Sequence, residues 1–390
     1  MGGDHPGARR ATKRADPLPD VGGEYRSAVS LHSHTNHSKE SLRFILEFTQ
    51  KRPLLRWALE RQSRRSTIPV DWVGAYWTPP LIPKLAFEVE RNQIEKVLAL
   101  AALVSLTDHD SISAPTLLRV VEETSQIPLA LEWSVPFEGA VFHLGVHNLP
   151  SSRAQAIVAD LGSYTRHQSA LQLSELLAML HQCPEVLLIF NHPLWDLSGM
   201  GRQRYAQVLG RFLQVNVRFL HSFELNATRS RSENNRVIEL AGLWRRLLIS
   251  GGDRHGCEPS GALNLTRAES FSEFVHEIRV EQRSHVLFMP QYAEPLSFRT
   301  AQAVLDVIRN YPGYSPGCRR WDDRVFHPDQ SAAGEQPISA PWKAPPAFIE
   351  RIFAVMRVME NSTVQRALGQ ILKDEASLEL PSDGVYEAMS

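Results

Sequence analysis

The sequence has little cysteine, no excess of charge and no long apolar run, and each shortage excludes a class of protein. Three cysteines, Cys183, Cys257 and Cys318, lie far apart and form no CxxC pair. This spacing favours neither a disulfide framework nor a zinc site built from thiolates. We therefore expect a reducing, cytoplasmic setting.

The charges balance over the chain of 390 residues. Lys and Arg number 42 and Asp and Glu number 43, which gives a formal net charge of -1. Without an overall basic field, any site for a polyanion has to be local. No stretch approaches the roughly 20 apolar residues that span a bilayer, so we expect no membrane partner.

Composition divides the chain into three parts. Residues 1–25 are rich in Gly, Pro and Arg and lack the apolar run of a signal peptide, so we expect a disordered tail. Residues 26–290 alternate short apolar runs with amphipathic stretches and are expected to form one large domain. Residues 291–390 combine a segment rich in Pro, Gly and Ser with apolar residues at helical spacing, and we expect a partly helical extension.

Short apolar runs between helical patterns determine the expected fold. Strands are predicted over residues 28–32, 103–106, 127–131, 141–147, 186–190, 219–223, 247–250 and 286–288, and helices over 42–47, 54–65, 83–99, 170–181, 202–213, 233–246 and 299–309. This order indicates an α/β architecture with a parallel sheet. Polar residues follow nearly every strand. This favours a closed barrel, where all strand ends meet on one face, over an open sheet, where ligands gather around one switch point.

Histidines and carboxylates dominate these strand ends. His32 and His34 are two positions apart on an extended strand, so both side chains project to the same face. Similar residues follow the later strands: Asp108, His109, Glu132, His143, His192, Glu224, Asp253 and His255. A single such histidine is usually structural, but a series at strand ends is typical of a site for Zn, Mn or Fe. Because the set exceeds the needs of one ion, the sequence predicts two or three divalent ions.

Four short motifs occur along residues 26–290. They read His32-Ser33-His34-Thr35, Thr107-Asp108-His109-Asp110, Asn191-His192-Pro193 and Gly251-Gly252-Asp253-Arg254-His255. In this order they resemble the motifs of the PHP family (polymerase and histidinol phosphatase domain). The resemblance implies a distorted (β/α)7 TIM-like barrel, usually with three metal ions, commonly Mn, Fe or Zn. It also implies a phosphoesterase that acts on a small phosphorylated metabolite, a nucleotide or an oligonucleotide.

The resemblance implies a role for each matching residue. The implied metal ligands are His32, His34, His109, Glu132, His143, His192, Asp253 and His255, with Glu132 bridging two ions. Asp108 and His192 are the implied catalytic residues, and Asp108 would orient a ligand or a water molecule. A metal-bound hydroxide would then attack phosphorus in line, since divalent ions lower the pKa of bound water toward neutrality.

The chain departs from the family pattern at three places. Ser30 stands where the family has an aspartate before the first motif, and Lys39 stands where it has an aspartate ligand. Glu40 or His37 could replace that ligand. Residues 40–83 make this part of the chain longer than in small family members, and we expect them to form an inserted lid at the mouth of the barrel.

Two arginines beyond the sixth predicted strand are candidates for binding substrate phosphate. Arg229 and Arg231 lie in a loop expected at the catalytic face, and a guanidinium can bind phosphate with two parallel hydrogen bonds. The alternative interpretation is ordinary surface arginine. Arg254 alternates with Asp253 and His255 and is expected to face away from the ions.

Two other functions remain open. Related amidohydrolase barrels also begin with an HxH pair but usually carry a lysine on a middle strand, and there is no lysine between residues 110 and 250. A binding or regulatory protein is the second alternative, since Ser30 and Lys39 weaken the first motif. The retention of every later ligand opposes it.

Overall fold

A computed structural model describes residues 23–42, 74–314, 316–327, 335–340 and 385–387, and also residues 57, 61 and 354. The strands are β1 (Ser27–Ser30), β2 (Glu40–Ser41), β3 (Tyr76–Trp77), β4 (Ala101–Val104), β5 (Leu131–Phe137), β6 (Ala140–His147), β7 (Leu187–Asn191), β8 (Ser222–Asn226), β9 (Leu247–Gly251), β10 (Ala262–Thr266), β11 (His285–Phe288), β12 (Val325–His327), β13 (Gln336–Pro337) and β14 (Val385–Glu387). The helices are α1 (Pro83–Gln93), continued by a π turn (Ile94–Leu98), α2 (Ser113–Leu118), α3 (Ala154–Arg166), α4 (Ala170–Gln182), α5 (Arg202–Asn216), α6 (Arg231–Trp244), α7 (Phe271–Arg279) and α8 (Leu296–Ile308).

Within the described residues the strands form three sheets. The first has the order β14-β11-β10-β1-β4, and the second has the order β5-β6-β7-β8-β9. A small third sheet, β13-β12-β3-β2, joins the chain near residues 40 and 76 to its C-terminal part. Helices separate many of the strands, so the fold is of the mixed α/β class.

The prediction of a parallel sheet is wrong for part of the chain. β7, β8 and β9 run parallel to one another, as do β1 and β4, but β6 is antiparallel to both β5 and β7. The cause is a two-residue turn at Glu138 and Gly139, whose φ angles of 47° and 84° suit a tight hairpin. β10 and β11 are likewise antiparallel to their neighbours in the first sheet.

Backbone contacts join the two five-stranded sheets near the ends of their strands. Beyond β4, His109 forms a parallel bridge with Glu132 of β5. Beyond β1, Ser33 forms a parallel bridge with Arg254, which follows β9. The segments after β1, β4 and β9 therefore meet at one end of the two sheets.

The largest apolar core lies between the second sheet and helices α3 to α6. The buried apolar residues of α5 recur at three- and four-residue spacing and so share one face: Tyr205, Val208, Leu209, Phe212 and Leu213. This apolar face packs the helix against the sheet and leaves the strand ends open for polar residues.

Most predicted elements between residues 83 and 290 are confirmed to within a few residues. The strand predicted over 127–131 is wrong, because β5 begins at Leu131 and Glu132 lies within it. The helices α2, α3 and α7 and the strand β10 were not predicted from the sequence. The helices predicted over 42–47 and 54–65, and most of the expected tail, lie largely outside the described residues.

Within the described residues, the C-terminal part contains the helix α8. Its strands also pair with the earlier chain: β12 pairs with β3, and β14 pairs with β11. The three cysteines are free. Among the helices described, none combines the length and apolar character that crossing a membrane requires.

Candidate metal centre

A buried carboxylate, that of Glu132, lies at the centre of the predicted site. It projects from β5 and is 1% exposed. Its oxygens lie close to five histidine nitrogens: His32 Nε2 at 3.1 Å, His34 Nε2 at 3.4 Å and His109 Nδ1 at 3.3 Å from one oxygen, and His143 Nδ1 at 3.1 Å and His192 Nε2 at 3.2 Å from the other. The structure thus brings five predicted ligands together around the predicted bridging residue.

A second carboxylate, that of Glu40, extends the cluster. Its Oε2 lies 3.1 Å from His109 Nε2 and 3.2 Å from His255 Nε2, and its Oε1 lies 3.7 Å from His34 Nδ1. The sequence left Glu40 and His37 as alternatives for this position. The geometry favours Glu40, because His37 belongs to none of the ligand groups found among the described residues.

Asp253 provides a third carboxylate, at the end of β9. Its Oδ1 lies 3.6 Å from His32 Nε2, 3.7 Å from His34 Nε2 and 3.5 Å from His255 Nδ1. Its Oδ2 accepts a hydrogen bond from Thr228 Oγ1 at 3.0 Å. One oxygen therefore faces the histidines while the other is held by the loop after β8.

The cluster fits divalent metal ions. Four of its buried nitrogens have no hydrogen-bond partner in the described part of the protein: His32 Nε2, His34 Nε2, His109 Nδ1 and His143 Nδ1. Buried polar atoms nearly always have a partner, so this set calls for one. Three groups have all their ligand atoms within 4.8 Å of one another: His34 with Glu40, His109 and His255; His32 with His34 and Glu132; and His109 with Glu132 and His143. Imidazole and carboxylate donors of this kind suit Zn, Mn or Fe.

The charges in the cluster keep its carboxylates ionised. Burial favours a raised pKa for Glu132, but His32, His143 and His109 hold that pKa well below its usual range. Burial alone would lower the pKa of His109, and the neighbouring Glu40 and Glu132 instead raise it to about 10. Because histidine must lose its proton to ligate a metal, ions and protons compete for these side chains.

Glu224, in the middle of β8, orients two of the histidines. One oxygen accepts a hydrogen bond from His32 Nδ1 at 2.5 Å, and the other accepts one from the His192 backbone amide at 2.7 Å. The remaining nitrogen of His32 is thereby turned toward Glu132. A Cβ atom on Gly251 of the neighbouring β9 would lie 1.5 Å from Glu224 Oε1, so glycine is needed for this close approach.

Three residues of the cluster have a left-handed backbone. The φ angle is 62° at His32, 28° at His192 and 46° at Asp253. Residues other than glycine rarely adopt positive φ, and such positions concentrate at functional sites. Each of the three follows a strand within two residues, so the sharp turn aims the side chain into the cluster.

Asp108, an implied catalytic residue, supports the cluster from outside. It is fully buried, and its two oxygens accept hydrogen bonds from the Thr35 amide at 2.6 Å and from Thr35 Oγ1 at 2.7 Å. Burial raises the pKa of Asp108 to about 6. These contacts fix the segment that carries His34.

A buried carboxylate in α1, Glu90, explains two features of the sequence. Ser30 Oγ donates to Glu90 at 2.9 Å, and Arg254 Nε donates to it at 2.7 Å. Arg254 thus faces away from the histidines, as predicted, and it also donates to the His34 carbonyl at 3.2 Å. Ser30 belongs to this polar network behind the site. No sequence signal distinguishes Glu90 from the other charged residues of α1.

Trp195 and Arg229 lie beside the cluster. The Trp195 ring meets the His192 ring edge to face, with centroids 5.0 Å apart, and the Arg229 guanidinium lies 3.5 Å from the Trp195 centroid. Arg229 also approaches Asp253 Oδ2 at 3.4 Å. Arg231 begins α6, and the ion pairs found for the described residues link Arg229, but not Arg231, to the cluster. Trp195 stands two residues after the Asn-His-Pro motif and was not predicted from the sequence.

Comparisons with known proteins give only distant likenesses. No family model matches the chain, and no curated protein matches it. PsfC from Pseudomonas syringae PB-5123 is 18% identical, with a TM-score of 0.41 over 69% of this chain and 93% of that chain. An amidohydrolase from Chromobacterium violaceum is 14% identical, with a TM-score of 0.30 over 58% and 87%. A protein from Bifidobacterium adolescentis, described provisionally as a metal-dependent phosphoesterase, is 13% identical, with a TM-score of 0.32 over 65% and 95%.

Proposed function

We propose that the protein is a metal-dependent phosphoesterase that uses two or three divalent ions such as Mn, Fe or Zn. The observation that carries this proposal is the buried Glu132 carboxylate, which has five histidine nitrogens at 3.1 to 3.4 Å. A carboxylate that offers its two oxygens to different histidines suits a position between two ions. The proposed substrate is a small phosphorylated metabolite, a nucleotide or an oligonucleotide.

The proposed ligands combine the residues of the motifs with Glu40: His32, His34, Glu40, His109, Glu132, His143, His192, Asp253 and His255. When bound, divalent ions at such a site lower the pKa of water and neutralise charge on phosphate oxygens. Glu224 keeps His32 in the orientation that faces the ions. Arg229, held against Trp195, would bind a phosphate oxygen through its guanidinium.

We also propose that β1 and β4 to β9 form one distorted barrel, with residues 26–290 as its domain. The His109–Glu132 bridge supports closure between β4 and β5. Just beyond the ends of β9 and β1, the Gly252 amide donates to the Leu31 carbonyl at 2.9 Å, while β1 itself pairs with β10. In such barrels the active site lies where the parallel strands end, which is where the histidines and carboxylates gather here.

The proposal is tested with protein loaded with Mn²⁺ and assayed on p-nitrophenyl phosphate and its bis-ester. We expect hydrolysis of at least one ester, and a fall in kcat for His192→Ala beyond the roughly 100-fold that loss of an outer-sphere partner costs. His276→Ala is the matched control, since the His276 side chain is 60% exposed on α7 and lies outside the cluster. This control should keep wild-type activity.

Two other results would assign a different function. Full loading with Mn²⁺ without hydrolysis of any ester, across phosphorylated metabolites and short oligonucleotides, would indicate a binding or regulatory protein. Cleavage of amides but not of phosphate esters would indicate amidohydrolase chemistry. The absence of lysine between residues 110 and 250 disfavours the carboxylated lysine that such barrels usually carry.

A further inference from the structure

We infer that C-terminal residues 321–327 and 335–340 are part of the proposed metal site, because they hold the ligand Glu40 in place. The inference rests on the proposed function. It concerns a part of the chain that the PHP motifs, within residues 26–290, do not include. It predicts that substitutions in this part, although far from Glu40 in the sequence, weaken the binding of one ion.

The strand that carries Glu40 depends on its neighbours. β2 has two residues, and Glu40 is paired with Trp77 of β3. Trp77 is paired with Val325 of β12, and β12 is paired with β13. Isolated two-stranded pairs are marginally stable at best, so a strand this short needs the rest of its sheet. The position of Glu40 therefore depends on β12 and β13.

Arg324 anchors β12. Its side chain is buried, and its guanidinium donates to four backbone carbonyls, those of Val307, Arg309, Cys318 and Arg320. Its own carbonyl accepts a hydrogen bond from the Thr78 amide at 2.8 Å, directly after β3. Loss of the guanidinium would leave these carbonyls without their donor and release β12 from α8.

Lys39 ties β2 to the residue before β13. Its Nζ lies 2.8 Å from both carboxylate oxygens of Glu335, and Tyr76 Oη donates to the same carboxylate at 2.7 Å. Lys39 stands where the family pattern has an aspartate ligand. In this chain Lys39 instead helps to fix the position of the next residue, Glu40. The proposed ligand is therefore one residue further along the sequence than in the family pattern.

The ion that these changes should affect is the one that Glu40 would bind. Glu40 is the only carboxylate in its ligand group among the described residues, the others being His34, His109 and His255. Without it, this group would hold a divalent cation through three neutral imidazoles and no carboxylate of its own, with Glu132 and Asp253 as the nearest remaining negative charges. Displacement of Glu40 should therefore release this ion first.

The experiment compares Arg324→Met with Glu40→Gln in the full-length protein. Each is dialysed against Mn²⁺, and bound Mn²⁺ per chain is measured by atomic emission. Arg279→Met is the matched control: Arg279 also donates to backbone carbonyls, those of His181, Cys183 and Val186, but at the end of β7 opposite to His192. Circular dichroism establishes that each variant is folded.

We expect Arg324→Met to lose the same fraction of bound Mn²⁺ as Glu40→Gln, and the double variant to lose no more than either. Arg279→Met should keep the wild-type content. A folded Arg324→Met with wild-type Mn²⁺ content and affinity overturns the inference and leaves the proposed function intact. A wild-type protein that binds no Mn²⁺ overturns the proposed function and the inference with it.

Lys39 and Glu335 provide the test if Arg324→Met does not fold. Both side chains are at least half exposed, so their loss should leave the fold intact. We expect Lys39→Met and Glu335→Gln each to weaken the affected Mn²⁺ by about two- to fivefold, the range for one exposed ion pair. The double variant should bind this Mn²⁺ no more weakly than either single variant does. Unchanged affinity in Glu335→Gln overturns the inference.

Discussion

At the scale of single residues, Glu224 illustrates how a side chain outside the ligand set controls the ligands. Replacing it by glutamine keeps the shape of the side chain but removes its negative charge and one of its two acceptor oxygens. Those oxygens accept hydrogen bonds from His32 Nδ1 and from the His192 amide. We expect Glu224→Gln to weaken Mn²⁺ binding by about 10- to 100-fold, as is usual for partners that orient metal ligands. Equilibrium dialysis against Mn²⁺ measures this. Glu95→Gln, at a side chain that is 49% exposed, is the control, and equal affinities for both variants would refute the role of Glu224.

His221 lies far from the ligands and predicts a pH dependence of stability. Burial, and then the nearby Arg279, His181 and Arg246, lower its pKa from 6.5 to about 3. Below pH 6.5 the unfolded chain binds a proton at this histidine and the folded chain does not. The free energy of unfolding therefore falls as the pH falls below 6.5, until the folded form also titrates near 3.

The variant His221→Asn separates this effect from other titrations. The asparagine Oδ1 can accept the Leu188 amide that His221 Nδ1 accepts at 2.9 Å, but it does not titrate. Between pH 6 and pH 4 the wild type should lose up to about 1.4 kcal/mol per pH unit more than the variant. Urea unfolding in EDTA measures this without a contribution from metal ions. Parallel pH profiles for the two proteins would show that His221 stays protonated or exposed.

At the scale of elements, the close approach of β8 and β9 depends on Gly251. A Cβ atom there would meet Glu224 Oε1 at 1.5 Å, so Gly251→Ala must displace the carboxylate that orients His32. We expect a loss of about 1–3 kcal/mol in unfolding free energy and weaker Mn²⁺ binding, as in Glu224→Gln. Urea unfolding and dialysis measure the two effects.

The matched control is Gly210→Ala in α5. A Cβ atom at Gly210 would have no neighbour within 4 Å, so alanine should stabilise the helix by about 0.5–1 kcal/mol. Mn²⁺ binding should not change. A Gly251→Ala protein that behaves like Gly210→Ala would mean that Glu224 can move without loss, contrary to its proposed role.

The strands that carry ligands could be predicted where the signal is local. An apolar run that ends in histidine or aspartate marks β1, β4, β7 and β9 in the sequence itself. The direction of β6 could not be predicted in this way, because it depends on the hairpin at Glu138 and Gly139 and on pairing with β7. His143 therefore joins the cluster from within an antiparallel strand and not from a strand end.

Site residues whose position depends on pairing with distant segments could be predicted only in part. Glu40 was one of two candidates, because its position is decided by β3 and β12, which lie far from it in sequence. Glu90 and Trp195 carried no signal, since their partners come from other elements. Sequence patterns reflect the neighbours of a residue along the chain, whereas this site is completed by contacts between segments that are far apart in the sequence.

At the scale of the whole molecule, the proposed ligands extend from His32 to His255 and come from all three sheets and the segments that follow their strands. An unfolded chain cannot bring them together, so ions at the proposed site would bind the folded state alone and would stabilise it. At a Mn²⁺ concentration of about 100 times Kd, one ion adds about 2.7 kcal/mol. For a large domain this corresponds to a rise in Tm of about 5–10 °C over the protein in EDTA, measured by differential scanning calorimetry.

Glu132→Gln shows whether this stabilisation comes from the proposed site. Glutamine keeps the size of the buried side chain but removes the negative charge that lies among five histidines. The Mn²⁺-dependent rise in Tm should largely disappear in this variant and persist in His276→Ala. Because the rise reports binding by the folded chain and not turnover, it is expected whichever substrate the protein acts on. A rise of wild-type size in Glu132→Gln would place the ions elsewhere in the molecule.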